Sequence, residues 1–368
     1  MKKLIALIMA LAMVLSLAAC GSTAKEETPA APEADASAAA SAETSEEEAP
    51  AAEGAEYKVG IVKFVDHASL NQIETNVQAE LDAKGAELGV TFNYGDYTFN
   101  GQADPTSLNQ IATQLVSDGV DVIVPIATPA AQIVQAATED NQIPVVFSAV
   151  SDPVSAGLAA AMDAPGANIT GTSDALNTNT IMDLIFAADP DADCIGLLYS
   201  KSEDSSKQPI EDAKAYLDAK GVKYVEKTGT TTDEVASAAD ALVAEGVDAV
   251  FTPTDNTVMN AELAIYEKFL NAGIAHYTGA DSFAVNGAFC GYGVDYAYLG
   301  VATADMVVDI LVNGAEPATT AVQTFDNGTA TVNTETCTAI GFDLETIKAA
   351  FEPLCTEFVE VVTAEEMQ

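Results

Sequence analysis

The feature that most constrains the fold is a pattern that occurs twice in the chain. LVSDGVDVIVPIATP at 115–129 aligns without a gap to LVAEGVDAVFTPTDN at 242–256. In each copy a helix end precedes a Gly turn, an apolar strand and a polar loop. An opening strand lies upstream of each copy, VGIVKF at 59–64 and IGLLYS at 195–200. The repeat predicts two similar α/β units, with a chance match between two common βα patterns as the alternative.

Strand and helix patterns also alternate along the rest of the body. Short apolar runs rich in Val and Ile are separated by Ala-rich segments with helical spacing. Continuous apolar strands that alternate with helices are typical of parallel sheets covered by helices. The 368 residues, 49% of them hydrophobic, can fill two cores of ordinary size. The predicted fold class is therefore α/β, with two doubly wound parallel-sheet lobes joined by a hinge.

Polar residues mark where several helices should begin. Capping boxes predict helix caps at Ser69 and Thr231, and a proline follows the predicted caps Asp104 and Thr128. In open parallel sheets, ligands bind outside the carboxyl ends of the strands, near helix N-termini. We therefore expect a ligand in the cleft between the two lobes.

The first 56 residues differ in composition from the rest. Lys2 and Lys3 precede an apolar run that is too short to span a membrane as a helix. The small residues before Cys20 resemble a bacterial lipobox, which predicts a lipoprotein signal peptide over 1–19 and a lipidated Cys20. An ordinary cleaved signal with an incidental cysteine is the alternative. Residues 20–56 lack aromatic and branched aliphatic side chains and predict a disordered acidic tether. The expected location is the extracytoplasmic face of the cell membrane.

The charge of the chain restricts its partners. With 56 acidic and 14 basic residues the formal net charge is −42, and every basic residue is lysine. Phosphate backbones are bound by clustered lysine and arginine, and bidentate phosphate recognition needs the guanidinium group. We therefore expect no nucleic-acid partner.

Residues suited to metal binding or catalysis are few. After Cys20 there are four cysteines without a CxxC motif, and the two histidines are not in an HxxxH motif. Neither a metal site nor a cofactor is predicted. Buried free thiols are expected, with a Cys337–Cys355 disulfide as the alternative. GxSxG and GxxxxGK[ST] motifs are absent, and only His67 could act as a base in a loop, so no enzymatic activity is expected.

Several stretches of the body, from 57 to about 341, resemble one family. They include PIATPAAQ at 125–132, PVVFSAVSDPVSAGL at 144–158, ANITGTSD at 167–174 and FTPTDNTV at 251–258. In this order they resemble ABC-transporter substrate-binding proteins typified by tryptophan- and tyrosine-binding lipoproteins. The chain departs from the family pattern at two places near the cleft. Ala68 stands where Pro is usual, and Ser205-Ser206 stands where Asn-Ser is usual.

The resemblance implies a type I periplasmic-binding-protein fold and a monomeric, lipid-anchored solute-binding protein of an ABC importer. Its ligand would be a small zwitterion, an aromatic amino acid above all, captured by hinge closure and delivered to a membrane permease. Lobe I is expected to comprise 57–172 and about 290–316, and lobe II 173–289 and about 317–368. A lipid-anchored receptor or sensor, and a binder of a nucleoside or sugar, stay open as alternatives.

The loops after the predicted strands contain the candidate ligand-binding residues. An α-amino acid needs hydrogen-bond donors for its carboxylate, and four hydroxyl residues could supply them without arginine: Thr128, Ser151, Thr172 and Ser173. Four carboxylates could accept from the ammonium group, and the sequence does not choose among them: Asp152, Asp174, Asp255 and Asp281. The same loops contain Ser200, Glu203 and Asn256. His67 is expected either to donate a hydrogen bond to the ligand or to lie at a helix start or in the core.

Aromatic side chains near these loops could stack on a flat ligand. Four are placed for this role, with core packing as the alternative for each: Phe64, Tyr199, Phe283 and Tyr292.

Overall fold

The structure is a computed structural model that describes residues 54–325 and 328–364. The predicted signal peptide, Cys20 and nearly all of the predicted tether lie outside the described residues. Within the described ranges, no helix is both long enough and apolar enough to cross a membrane.

The first lobe is built on a seven-stranded sheet in which every pairing is parallel. Its strands are β1 (Glu56–Lys63), β2 (Thr91–Asn93), β3 (Thr98–Asn100), β4 (Val122–Ile126), β5 (Val145–Phe147), β6 (Ile169–Ser173) and β12 (Gln323–Thr324). Their order is β12-β6-β5-β4-β1-β2, and β3 pairs with the end of β1. The helices are α1 (Ala68–Leu88), α2 (Pro105–Asp118), α3 (Thr128–Thr138) and α10 (Tyr296–Leu311), of which α10 packs along α1.

The second lobe repeats this plan with one antiparallel pairing. Its strands are β7 (Cys194–Tyr199), β8 (Lys223–Thr228), β9 (Ala249–Thr252), β10 (Ala275–Thr278), β11 (Cys290–Gly293), β13 (Thr329–Asn333) and β14 (Glu357–Val361). Their order is β14-β13-β11-β10-β9-β7-β8, with β11 antiparallel to β13. The helices are α4 (Thr178–Ala188), α5 (Lys207–Lys220), α6 (Thr232–Glu245), α7 (Asn256–Met259), α8 (Glu262–Ala272), α9 (Asp281–Val285), α11 (Thr334–Ala339) and α12 (Leu344–Phe351). Short 3-10 helices span Asp204–Ser206 and Pro317–Thr319.

The two predicted α/β lobes are confirmed, and the internal repeat marks equivalent places in them. In both copies a helix ends at a glycine in the left-handed region, Gly119 at φ 63° and Gly246 at φ 71°. A side chain is rarely tolerated there, which is why the turn contains glycine in both copies. The strands that follow, β4 and β9, are buried along their whole length.

The chain passes between the lobes three times, after β6, after β11 and after β12. The strand pairings put Cys290–Gly293 in the second sheet and Gln323–Thr324 in the first. The last two crossings therefore lie a few residues later than the expected boundaries near 290 and 316. The physical reason is that β11 pairs with β10 in the second sheet before α10 packs against α1, and that β12 pairs with β6 in the first sheet before the chain crosses back.

Two of the four predicted helix caps are confirmed. Asp104 accepts from the first-turn N–H groups of α2, and Thr231 accepts from the N–H of Glu234 in α6. The predictions at Ser69 and Thr128 are wrong, because both residues lie inside the first turn of their helices. The residues at the cap positions there are His67 and Ala127, and neither makes a side-chain cap.

The four cysteines in the described residues are free thiols, as expected. Cys290 and Cys337 are buried in the apolar core of the second lobe, and Cys194 and Cys355 are half-buried. The alternative disulfide between Cys337 and Cys355 is therefore not formed.

Candidate functional site

A cavity with an empty volume of about 380 Å³ lies between the lobes, where the strands of both sheets end. Its polar wall comprises His67, Ser69, Thr128, Ser151, Asp174, Ser205, Thr254, Asp255, Asn256, Ser282 and Tyr296. Its apolar wall comprises Leu70, Ala127, Ala149, Met259, Ala280 and Phe283.

Six of the twelve predicted ligand-binding residues line this cavity, and six do not. The lining ones are His67, Thr128, Ser151, Asp174, Asp255 and Asn256. The others lie behind or beside the wall: Asp152, Thr172, Ser173, Ser200, Glu203 and Asp281. Thr172 and Ser173 lie at the end of β6, and the other four lie in the segments after strands. Their side chains bond to protein groups, so position near a strand end does not by itself place a side chain in the cavity.

The residues behind the wall hold the lining residues in place. Ser173 donates from Oγ to the carbonyl oxygen of Ser151 at 3.2 Å, and the Ser200 N–H donates to Asp255 at 2.6 Å. The Thr172 hydroxyl bonds to hydroxyls inside the first lobe. Asp152 accepts from the N–H of Ser155 near the surface. These side chains and N–H groups therefore bond to other protein groups and not to the cavity.

Asp174 is a buried carboxylate without a charged partner. It follows β6, is 5% exposed, and accepts hydrogen bonds from the hydroxyls of Ser151 at 2.8 Å and Tyr296 at 3.3 Å. Burial raises the pKa of Asp174, and the two hydroxyl bonds oppose that rise. A carboxylate in such a place is costly unless a cation pairs with it.

Asp255 and Asp281 differ from Asp174, because Asp255 has more hydrogen-bond partners and Asp281 does not line the cavity. Asp255 caps α7 through the N–H of Val258 and accepts from Ser200 and from the Ser206 hydroxyl at 2.6 Å. Asp281 accepts from the Ser69 hydroxyl across the cleft at 3.0 Å. Burial raises the pKa of both carboxyls, and these bonds oppose the rise.

The start of α3 offers donors to the cavity. Thr128 is 3% exposed, and its Oγ1 is buried without a hydrogen-bond partner among the described residues. No side chain caps the first turn of α3, so its N–H groups face outward at the positive end of the helix dipole. Ala127, the residue before it, has φ 81° and ψ 152°, a conformation that normally requires glycine. Strain at this point is consistent with a backbone shaped for a ligand.

His67 reaches from the first lobe to the second. Its Nε2 lies 3.2 Å from Oδ1 of Asn256, while its Nδ1 is buried without a partner among the described residues. Burial lowers the pKa of His67 to about 4, so the ring is neutral at neutral pH.

Direct hydrogen bonds join the lobes around the cavity. The Ser69 hydroxyl donates to Asp281 at 3.0 Å, and its oxygen lies 2.8 Å from the hydroxyl oxygen of Ser282. The hydroxyls of Ser151 and Thr254 lie 3.0 Å apart. At the rim, the Gln132 amide donates to Asp204 at 2.8 Å. The structure therefore shows the cleft in a closed arrangement.

Several lining residues were not among the twelve candidates, although most of them lie in the loops after strands that were expected to line the cleft. Among them are Ser69, Thr254, Ser282 and Tyr296. Thr254 lies after β9, and Ser282 and Tyr296 lie in the first turns of α9 and α10, so their positions near strand ends and helix starts could have identified them. Ser69 was interpreted as a helix cap. Of the four aromatic candidates only Phe283 lines the cavity.

The other three aromatic candidates face elsewhere. Phe64 and Tyr199 belong to the two apolar cores, and the Tyr199 hydroxyl donates to Glu226. Tyr292 donates to the carbonyl oxygen of Leu354. Their positions at strand ends did not reveal which face of the sheet they occupy.

Glu203 lies behind Asn256, next to the buried carboxylate of Asp255. It accepts from the Asn256 amide at 3.1 Å and from the Thr257 hydroxyl at 3.3 Å. Burial, and then the nearby charge of Asp255, raises the pKa of Glu203 to about 8. The folded protein thus holds a proton here that the unfolded chain releases at lower pH.

We expect Glu203→Gln to stabilise the protein at alkaline pH but not at acidic pH. Because the folded pKa lies above the unfolded value, wild-type stability falls as the pH rises from about 4.5 to about 8. The neutral amide lacks this loss, so the melting temperature should exceed that of the wild type by about 2 °C or more near pH 9. Near pH 5 the two should melt together. A constant difference across this range would contradict the raised pKa.

The described residues contain no group of three metal-ligating side chains.

Comparisons with known proteins agree on one family. A family model described as ABC transporter substrate binding protein matches residues 58–347. A tyrosine-binding protein of Clostridioides difficile is 32% identical over 292 residues, which cover 79% of this chain and 82% of that protein.

Two solved structures are similar over most of the chain. One is an ABC domain in complex with L-Trp from Streptococcus pneumoniae, 31% identical with a TM-score of 0.74, covering 83% of this chain and 100% of that one. The other is a ligand-free, open substrate-binding protein with adhesive properties from Clostridium difficile, also 31% identical, with a TM-score of 0.63, covering 84% and 100%. At equal identity, the similarity is higher to the ligand-bound structure.

Proposed function

This chain belongs to the ABC transporter substrate-binding protein family, and from that premise we propose that it captures an aromatic L-amino acid between its lobes. Members of this family bind small molecules outside the cytoplasm for delivery to an ABC permease, and they are not a class of enzymes. The ligand class proposed here is consistent with the tyrosine-binding relative and with the L-Trp complex.

The observation that carries the proposal is that one cavity wall offers both a place for a cation and a place for an anion. Asp174 is a buried carboxylate that lacks a cation, and Thr128 begins a helix whose first-turn donors lack a capping side chain. An α-amino acid supplies an ammonium group to the first and a carboxylate to the second. Such charge-assisted bonds are stronger than neutral ones, and a helix N-terminus can hold a carboxylate without arginine.

The apolar wall supports an aromatic side chain. Phe283 offers a ring, and Met259 offers a thioether, which makes favourable contacts with aromatic rings. Leu70 and three alanine side chains complete this apolar wall. This combination favours an aromatic amino acid over a sugar, which would need polar groups on all sides.

Closure around the ligand is part of the proposal. The hydrogen bonds between Ser69 and Ser282 and between Ser151 and Thr254 can form only when the lobes meet. A ligand that bridges the lobes would select this closed form, which the permease then receives. Acylation of Cys20 would keep the protein at the membrane surface.

A thermal-shift screen tests the ligand class. L-tryptophan, L-tyrosine or L-phenylalanine at 100 times its dissociation constant should add roughly 2.7 kcal/mol to the free energy of unfolding. Tryptamine, which lacks the carboxylate, and N-acetyl-L-tryptophan, which lacks the ammonium group, should shift the melting temperature far less. A hexose and a nucleoside serve as controls. The proposal fails if none of the three amino acids stabilises the protein.

A further inference from the structure

A chain of three side chains leads from the second lobe to the cavity wall. Glu203 is 3% exposed and accepts from Nδ2 of Asn256 at 3.1 Å. The other end of the same amide, Oδ1, lies 3.2 Å from Nε2 of His67. His67 lines the cavity, and its other ring nitrogen, Nδ1, is buried without a partner among the described residues.

The chemistry of these groups determines which ring nitrogen carries the proton. An amide nitrogen only donates, and Glu203 offers an acceptor oxygen to it whether the acid is ionised or is protonated on its other oxygen. In the structure the Asn256 Nδ2 donates to Oε2 of Glu203, and the amide oxygen faces Nε2 of His67. A carbonyl oxygen only accepts, so Nε2 carries the N–H of the neutral ring. Nδ1 is then left with a lone pair.

We propose that Glu203 and Asn256 act as positioning residues that hold His67 in the Nε2–H tautomer, and that Nδ1 accepts a hydrogen bond from the bound ligand. This differs from the expectation that His67 donates to the ligand. It rests on the proposed function for the identity of the ligand but not for the tautomer itself.

Burial, and not the charged groups nearby, keeps the His67 ring neutral. Lys63 opposes protonation and Asp66 favours it, but desolvation is the larger effect. Glu203 has Asp255 as its charged neighbour, together with the Thr257 hydroxyl and the Asn256 amide. None of these groups supplies a donor to Nδ1, so a ligand N–H or O–H would be its partner.

Two kinds of ligand donor fit this atom. The α-ammonium group is common to all amino acids, whereas an indole N–H or a phenol O–H belongs to the side chain of tryptophan or tyrosine. Phenylalanine offers only the ammonium group. Comparison of these three ligands therefore identifies which donor meets His67.

Nitrogen-15 NMR of histidine-labelled protein gives a direct test, because the chain has only two histidines. The second, His276, lies between Glu262 and Thr252 in the second lobe and serves as an internal reference. With saturating L-tryptophan or L-tyrosine, the His67 spectrum should show a protonated Nε2, and the Nδ1 resonance should move to the position of a hydrogen-bonded acceptor. A proton on Nδ1 would overturn the proposal, as would an Nδ1 resonance that no bound amino acid alters.

Variants at Glu203 test the positioning role. Glu203→Met removes the acceptor, so Asn256 can reverse its amide and His67 should become a mixture of tautomers. An even mixture halves the competent fraction and weakens binding about 2-fold. Glu203→Gln can keep an oxygen toward Asn256 and should preserve both the tautomer and the affinity. Identical spectra for the wild type and Glu203→Met would overturn the role of Glu203.

A ligand-independent measurement separates this proposal from the proposed function. The Ser69→Cys/Ser282→Cys variant, oxidised without ligand, should hold the lobes together, because these hydroxyls lie 2.8 Å apart. The His67 tautomer is then read in the closed, empty protein. If the three amino acids fail to bind but Nε2 is protonated there, the ligand class is wrong and the positioning role stands. If Nδ1 is protonated there, the positioning role is wrong whatever binds.

Discussion

Asp174→Asn is expected to weaken binding of L-tryptophan or L-tyrosine by about 100-fold. Its carboxylate is buried at the cavity and accepts from the hydroxyls of Ser151 and Tyr296 and from its own backbone N–H, with no cation beside it, so it is available to an ammonium group. Truncating one member of a buried charge pair costs roughly 2–5 kcal/mol, and 100-fold corresponds to about 2.7 kcal/mol. Isothermal titration calorimetry at neutral pH measures the change.

The matched control for this change is Asp152→Asn. Asp152 is a nearby carboxylate outside the cavity wall, bonded to the N–H of Ser155, and its replacement should leave the affinity within about 2-fold. The unliganded Asp174→Asn protein should melt no lower than the wild type, because burial already raises the pKa of Asp174 and disfavours its charge. If Asp174→Asn binds like the wild type while Asp152→Asn does not, the ammonium site has been assigned to the wrong residue.

The second large effect is expected from a disulfide across the cleft. Ser69 and Ser282 lie in different lobes, and their hydroxyl oxygens are 2.8 Å apart. Cysteines at both positions, oxidised in the presence of labelled L-tryptophan, should trap the ligand through gel filtration. Oxidised without ligand, the same variant should bar its entry. A reductant should restore exchange in both cases, because opening of the lobes is the only route proposed for the ligand.

The single variant Ser69→Cys is the control for the trap. It contains the same four native thiols of the body but cannot form the new bond, so its exchange should not depend on oxidation. Rapid ligand exchange by the oxidised double variant, with the disulfide verified by mass spectrometry, would show that closure does not control access.

The sequence predicted the fold well because the relevant signals are local. Apolar strands, glycine turns and caps such as Asp104 and Thr231 depend on neighbours a few residues away. The caps predicted at Ser69 and Thr128 are wrong, because a serine or threonine hydroxyl near a helix start can also face a cleft between lobes. Ser69 uses its hydroxyl to reach the other lobe, more than two hundred residues away in the chain.

Two facing α/β lobes with a site at their strand-end loops could be predicted from the chain, because hydrophobic period and turn chemistry are properties of short segments. Which carboxylate is free to meet a ligand depends on contacts between distant segments. Asp255 accepts from Ser200, Ser206 and its own helix, while Asp174 accepts from two hydroxyls and its own N–H. The partners from other segments, Ser200 and Ser206 for Asp255 and Ser151 and Tyr296 for Asp174, lie 23 to 122 residues away along the chain, and folding alone brings them into contact.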